Sequence, residues 1–472
     1  MAYYFHRSIL LSRLITRQVI FLQPQKFAFK KSNPVLFQSL LSRSYTNSLP
    51  NLSEKLTSAV VLDKYLSKTK KALKIIFFVN LIGFTILISG DLFYAWYLNS
   101  YNINLFNKTI EKGTRPVVVI GEDELVPRPV AIEQLKKILL PHKEQSFYYL
   151  VCGEHGTGKT ILTKIASNEV GEDKKKGIQG RCGVIYIDIP PNEKKEKDFD
   201  EEFGEAFGRA LNFKFEENIS FSGQLMKKIF GDINQKDSNP KWERALEAFK
   251  YASVEYKKNN PCHRPPVIVY DNISHLDLGL LSYLQSDAKK SADERIYITV
   301  FVCSESLVPR IMEQNSAWSH SKKVIEIGDL SKEESMKYLT EKRKINKVDA
   351  KKIYELVDGR ILDLKYMADD SLAKIPFEDT KKEILTKVKQ KFAFANLLKD
   401  QTHYEAGKEL INILLKSKEI STDIFRKFFK DSEVYNEVLK ANVFTYHPSR
   451  DTITFQSKSV EVYIQENSSI FT

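Results

Sequence analysis

The run Gly153-Glu154-His155-Gly156-Thr157-Gly158-Lys159-Thr160 constrains this chain of 472 residues more than any other feature. Its spacing, G-x-x-x-x-G-K-[ST], is that of a phosphate-binding loop. Glycines let a backbone close around an anion, so that several N–H groups point at it. Lys159 is placed to reach β- and γ-phosphates, and the Thr160 hydroxyl to join the shell of a Mg²⁺ ion. The flanks agree with that reading. Residues 147–152, FYYLVC, are apolar and rich in β-formers, whereas Ile161, Leu162 and Ile165 recur at helical spacing. Strand, glycine loop and helix form the context the motif requires, and the helix start adds its positive end. The candidate nucleotide-contacting residues are therefore Gly153, Glu154, His155, Gly156, Thr157, Gly158, Lys159, Thr160 and Ile161. His155 is expected to face solvent and take no part in chemistry.

Beyond residue 115 the pattern alternates between strand and helix. Strand-like runs cover 184–189, 267–271, 297–302 and 324–327, making five with the strand before the loop. Between them, Lys241 to Tyr256 places Ala245, Phe249, Ala252 and Tyr256 on one helical face. Alternation of this kind predicts an α/β domain, a parallel sheet of about five strands with helices on both faces. The insert 190–200, PPNEKKEKDFD, reads as an exposed charged loop. Asp271 ends the apolar run PPVIVYD. A carboxylate at the C-terminal end of a buried strand beside a phosphate loop is where Mg²⁺ needs support, so Thr160 and Asp271 are the candidate metal residues.

The strand 184–189 lies between the phosphate loop and Asp271. This order resembles the additional-strand P-loop ATPases, the AAA+ proteins and the related STAND signalling ATPases. The resemblance makes Gly153 to Thr160 the Walker A motif and Asp271 the Walker B carboxylate. It implies that Glu122 to Pro129 leads into the core near the adenine, with Arg128 at its basic position. Ser304, after the strand ending Val302-Cys303, would be sensor 1, and Arg310 an arginine finger. Leu356 to Leu364, LVDGRILDL, resembles the sensor-2 region of origin-recognition-like and archaeal-type ATPases, so Arg360 would sense the γ-phosphate. Ser331 and Glu334 have the spacing of a capping box opening that lid. Residues 403–472 read as helix, helix, helix, hairpin, helix, similar to the winged-helix domain that follows the lid in those ATPases. One departure matters: the family usually carries Glu after the Walker B Asp to activate water, and here that residue is Asn272.

Net charge is +12, but residues 1–74 hold 13 Lys/Arg and 2 Asp/Glu, leaving the other 398 residues with 59 and 58. The basic character belongs to one end. No Asp or Glu precedes Glu54, and Arg7, Arg13 and Arg17 interrupt apolar residues in an amphipathic pattern. That is the composition of a mitochondrial transit peptide, assigned to 1–45. A basic segment, 46–74, precedes residues 75–98, IIFFVNLIGFTILISGDLFYAWYL, whose only charge is Asp91. Its length suits a bilayer, and Tyr94, Trp96 and Tyr97 suit an interfacial belt. The expected plan is then an ATPase core at 115–329, a helical lid at 330–375, and a helical linker with winged helix at 376–472. The last region carries 9 Lys/Arg and 10 Asp/Glu over 401–472, which disfavours nucleic acid and favours a protein contact. Four scattered cysteines, Cys152, Cys182, Cys262 and Cys303, read as buried reduced thiols.

These readings lead to an expected ATP- and Mg²⁺-binding protein anchored by one pass in the mitochondrial inner membrane, its ATPase facing the intermembrane space by the positive-inside tendency. Lys159, Asp271, Asn272, Ser304 and Arg360 are the candidate catalytic set. Asn272 is a very poor base, so slow hydrolysis driving a switch is expected. Two alternatives stand beside it: a nucleotide-gated protein-binding module without hydrolysis, and an ATPase of the mitochondrial nucleoid. Homo-oligomerisation is left open.

Overall fold

The computed structural model describes residues 52–172, 183–192, 196–215, 239–260, 262–304, 307–429 and 431–471. The expected transit peptide and Cys182 lie outside them. The chain divides into two compact units, Met1–Phe84 and Thr85–Thr472. Helix α1 (Leu52–Lys112) runs through the boundary. Within it, residues 67–112 include a stretch long and apolar enough to cross a membrane, with none of that stretch buried. Its polar side chains fold onto the helix itself: Asn80 Nδ2 donates to Ile76 O (2.9 Å) and Ser89 Oγ to Thr85 O (2.7 Å). Such bonds reduce the penalty of a polar group in a lipid-facing helix.

In the second unit, α2 (Pro129–Leu139), β1 (Tyr149–Cys152), α3 (Lys159–Glu172), β2 (Val184–Asp188), α4 (Glu196–Leu211) and α5 (Lys241–Asn259) follow in order. Then come β3 (Val267–Asp271), α6 (Leu278–Asp293), β4 (Ile298–Val302), α7 (Leu307–Glu313) and β5 (Ile325–Glu326). The five strands form one parallel sheet in the order β2-β3-β4-β1-β5. Because successive side chains point to opposite faces, one face buries Leu150, Ile187, Tyr270 and Phe301 with Phe203 and Phe249 of α4 and α5. The other buries Val151, Val184, Val269 and Val300 with Leu135 of α2 and Leu162 of α3. Both faces are therefore covered by helices, as the alternating pattern predicts.

Two expectations change. The insert 190–200 is not wholly an exposed loop, because α4 begins at Glu196 and Phe199 is buried. Phe199, Phe203, Phe207 and Leu211 recur every four residues and give the charged segment an apolar stripe that docks on the sheet. Of the thiols, Cys152 and Cys303 are buried, but Cys262 is exposed, in the turn before β3.

After the sheet, α8 (Lys332–Lys337) passes through a π turn to α9 (Lys347–Val357), α10 (Ile361–Leu372) and α11 (Phe377–Phe394). The capping box that opens α8 has both arms, Glu334 N to Ser331 Oγ (3.1 Å) and Ser331 N to Glu334 Oε2 (2.8 Å). Leu330, Leu339, Ile353, Leu356 and Met367 make this bundle's core. The last part comprises α12 (Tyr404–Ser417), β6 (Ile420–Ser421), α13 (Thr422–Phe428), α14 (Ser432–Lys440), β7 (Phe444–His447), β8 (Thr452–Phe455), α15 (Lys458–Glu466) and α16 (Ser468–Phe471). Its strands form an antiparallel sheet, β6-β8-β7, so the hairpin at 444–455 gains a short third strand.

Candidate functional site

The phosphate loop leaves β1 at Gly153 and enters α3 at Lys159. Gly153 has φ +147°, and a Cβ there would sit 2.2 Å from the carbonyl oxygen of Ile327. Gly156, at φ +84°, would bring a Cβ within 2.8 Å of Leu362 Cβ. Only glycine fits both positions, so the loop stays narrow enough to close on an anion. Lys159 is buried beneath it and donates to Glu154 O (2.6 Å) and Thr157 Oγ1 (3.3 Å). Burial holds its ammonium below the ordinary lysine value, and nearby Arg360 acts the same way. A buried cation at the mouth of a backbone cradle is the chemistry that a nucleotide polyphosphate requires. His155 is exposed, as expected of a loop residue.

Asp271 ends β3 and is buried; burial raises its carboxyl above the usual range, against hydrogen bonds from Tyr186 and Thr160. The two candidate metal residues therefore touch. A hydroxyl and one indirectly supporting carboxylate fit Mg²⁺, which takes most of its ligands from phosphate and water. The Tyr186 hydroxyl donates to Asp271 Oδ2. Asn272 has a left-handed backbone (φ 62°, ψ 41°) and its N–H donates to Asp271 Oδ1 (2.9 Å). Its Nδ2 donates to Asp188 Oδ1 (2.8 Å), at the end of the neighbouring strand β2.

Arg360 lies between α9 and α10, buried, and is not on a helix C-terminus. It donates from Nε (2.6 Å) and Nη2 (3.1 Å) to Asp329, from Nη1 to His155 O (3.1 Å), and from Nη2 to Gln456 O (2.9 Å). One side chain thus links the phosphate loop, the segment before α8 and the C-terminal hairpin. Burial opposes its charge, but Asp329 more than offsets this and raises its pKa. A cleft beside it is lined by Gly153, Thr157, Asp329, Tyr446 and Gln456.

The remaining candidates are placed less tightly. Arg128, at the start of α2, donates to Gly328 O (2.9 Å), fastening the entry segment to the chain beyond β5. Ser304 follows β4 two residues after Val302, which pairs with Val151 of β1, and so stands near the loop. Arg310 is bonded to Glu313 (3.1 Å) and lies 6.0 Å from the Tyr446 ring, engaged within its own chain. Sequence reasoning did not single out Tyr186, Asp188, Asp329 or Gln456. For Asp188 the sequence carried only half the signal, a carboxylate at the end of a strand-like run; that this strand pairs with β3 comes from the sheet order.

The profile of a family described as "ATPase domain predominantly from Archaea" matches residues 125–367. The chain belongs to this ATPase family. The match spans the sheet, the phosphate loop, Asp271 and Arg360, in line with the P-loop ATPase resemblance read from the motifs. No curated protein matches the sequence. Solved structures similar to this ATPase include Cdc6p from Pyrobaculum aerophilum, with 13% identity over 74% of this chain and 100% of that one, TM-score 0.37. The Aeropyrum pernix ORC2 protein, in ADPNP-ADP complexes, shares 14% identity over 73% and 95%, TM-score 0.38. AMPPCP-bound DnaA from Aquifex aeolicus shares 15% over 74% and 89%, TM-score 0.31.

Proposed function

We propose that this ATPase-family chain is a nucleotide-dependent conformational switch anchored in the mitochondrial inner membrane. Lys159 and Thr160 hold phosphate and Mg²⁺, and Asp271 supports the metal. Ser304 and Arg360 read the γ-phosphate, and residues 403–471 act as a winged-helix domain whose near-neutral surface favours a protein partner over nucleic acid. The observation that carries the reading is the set of hydrogen bonds made by Arg360 to His155 O, Asp329 and Gln456 O. A γ-phosphate competing for that guanidinium loosens the grip on the hairpin, so occupancy of the loop is transmitted to the C-terminal domain.

The reading is tested by titrating ATP–Mg²⁺ into wild type and Lys159→Ala in a calorimeter, with hydrogen exchange followed over residues 444–455. ATP is expected to bind wild type at least about tenfold tighter than the variant, which lacks the charge facing the phosphates, and to speed exchange in the hairpin. Equal affinities would remove the assigned site; binding without a change in exchange would remove the switch. A nucleotide-gated binding module that does not hydrolyse is the second reading, favoured by Asn272. Single-turnover hydrolysis separates the two.

A further inference from the structure

We propose that Asp188 is a positioning residue for ATP hydrolysis, turning the Asn272 amide so that its Oδ1 faces the attacking water. This rests on the ATP-site reading above and deepens it. Asp188 and Asp271 are register partners at the C-terminal ends of adjacent parallel strands. Asp188 Oδ1 accepts from Asn272 Nδ2 (2.8 Å), and Oδ2 accepts from Lys164 Nζ (3.2 Å) of α3.

The chemistry of the pair then fixes the amide. An ionised carboxylate only accepts, so it bonds the NH₂ end of Asn272 and leaves the carbonyl end directed away. Among the described residues, no donor reaches Asn272 Oδ1. The backbone N–H of the same residue is held by Asp271, the carboxylate bonded to Thr160, so residue 272 adjoins the candidate metal pair with its side-chain carbonyl left as the acceptor. It can accept one hydrogen from water and aim the water lone pair. Hydrolysis joins the water oxygen to the γ-phosphorus and breaks the bond from that phosphorus to the bridging oxygen. The bond's electron pair leaves with ADP. The displaced proton passes to the released phosphate, because the amide is too weak a base to keep it.

Asp188→Asn separates charge from packing. Its amide oxygen can still accept from Asn272 Nδ2, but it can equally turn and donate, and Asn272 is no longer forced. Single-turnover hydrolysis is expected to fall about 10–100-fold. ATP affinity by calorimetry should stay within about twofold, and the melting temperature without nucleotide should be unchanged, since the lost Lys164 pair is half exposed. The exchanged pair, Asp188→Asn with Asn272→Asp, restores one carboxylate and one amide and should recover hydrolysis. Lys164→Gln should keep the wild-type rate. The proposal is overturned by a wild-type rate in Asp188→Asn, by an equal loss in Lys164→Gln, or by a lower melting temperature that accounts for the loss. Wild type that binds ATP without hydrolysing it also overturns this proposal but leaves the binding site standing. Absence of ATP binding in wild type overturns the site itself.

Discussion

Arg360 donates to the backbone carbonyl of Gln456 at 2.9 Å while the same guanidinium holds Asp329 and the carbonyl of His155. The C-terminal domain is therefore fastened in part by a residue that also touches the phosphate loop. Arg360→Ala removes these bonds, a loss on the order of 1–2 kcal/mol because the Asp329 left behind is reached by solvent. Limited proteolysis should cut wild type slowly between α11 and β7 and the variant quickly. Equal cleavage rates would mean that other contacts hold the domain.

A second tie joins Glu326 of β5 to the hairpin through His447 Nδ1 (3.1 Å) and Ser449 N (2.9 Å). Burial alone would raise the Glu326 carboxyl, but these hydrogen bonds outweigh it and hold the pKa down to about 2, from 4.5. The folded value is depressed, so the stabilisation is full above the unfolded value and is lost as pH falls from about 4.5 through about 2. Discounted for partial exposure, the contribution is on the order of 2 kcal/mol. Glu326→Gln should be less stable than wild type in denaturant melts at pH 7, and the gap should narrow steadily below pH 5. A constant gap from pH 6 to 3 would place the stabilisation elsewhere.

The anchor reading predicts import followed by membrane integration. Deleting residues 1–45 should leave the protein outside mitochondria, and deleting 75–98 should release it from membranes at alkaline pH. The lysines preceding Ile75 should stay in the matrix, so protease added to mitoplasts should remove a C-terminal tag. Full-length protein that washes off with carbonate ends the anchor reading, and a protected tag reverses the orientation.

Much of this fold was legible because local signals agreed with one another. The β1–loop–α3 unit carries a strand pattern, a glycine spacing and a helix pattern in sequence, and each of the five strands is a short apolar run. Asp271 was found by its place at a strand end. What stayed hidden depends on tertiary placement. That Asp188 lies level with Asp271 is a fact of strand order, which makes β2 and β3 neighbours. The partners of Arg360 come from positions 205 and 96 residues away, a separation no local pattern encodes. The start of α4 was obscured by charge, since its apolar stripe emerges only when Phe199 is counted with Phe203 and Phe207.

Turnover should depend on the pairing between residues 272 and 188. Asn tolerates the left-handed backbone found there, whereas Glu would add strain of about 1 kcal/mol. Glu at this position would also meet the carboxylate of Asp188, 2.8 Å from the present amide nitrogen. Two carboxylates in contact disfavour ionisation of both and weaken the new base. Asn272→Glu alone should therefore gain little over the slow wild-type rate. Combined with Asp188→Asn, whose amide can donate to the new carboxylate, it should gain on the order of 10²-fold. Steady-state phosphate release by wild type, the single variant and the double variant is the measurement. A single variant as fast as the double would show that Asp188 exerts no influence on residue 272. A wild-type rate of several per second would remove the reason for reading this protein as a slow switch.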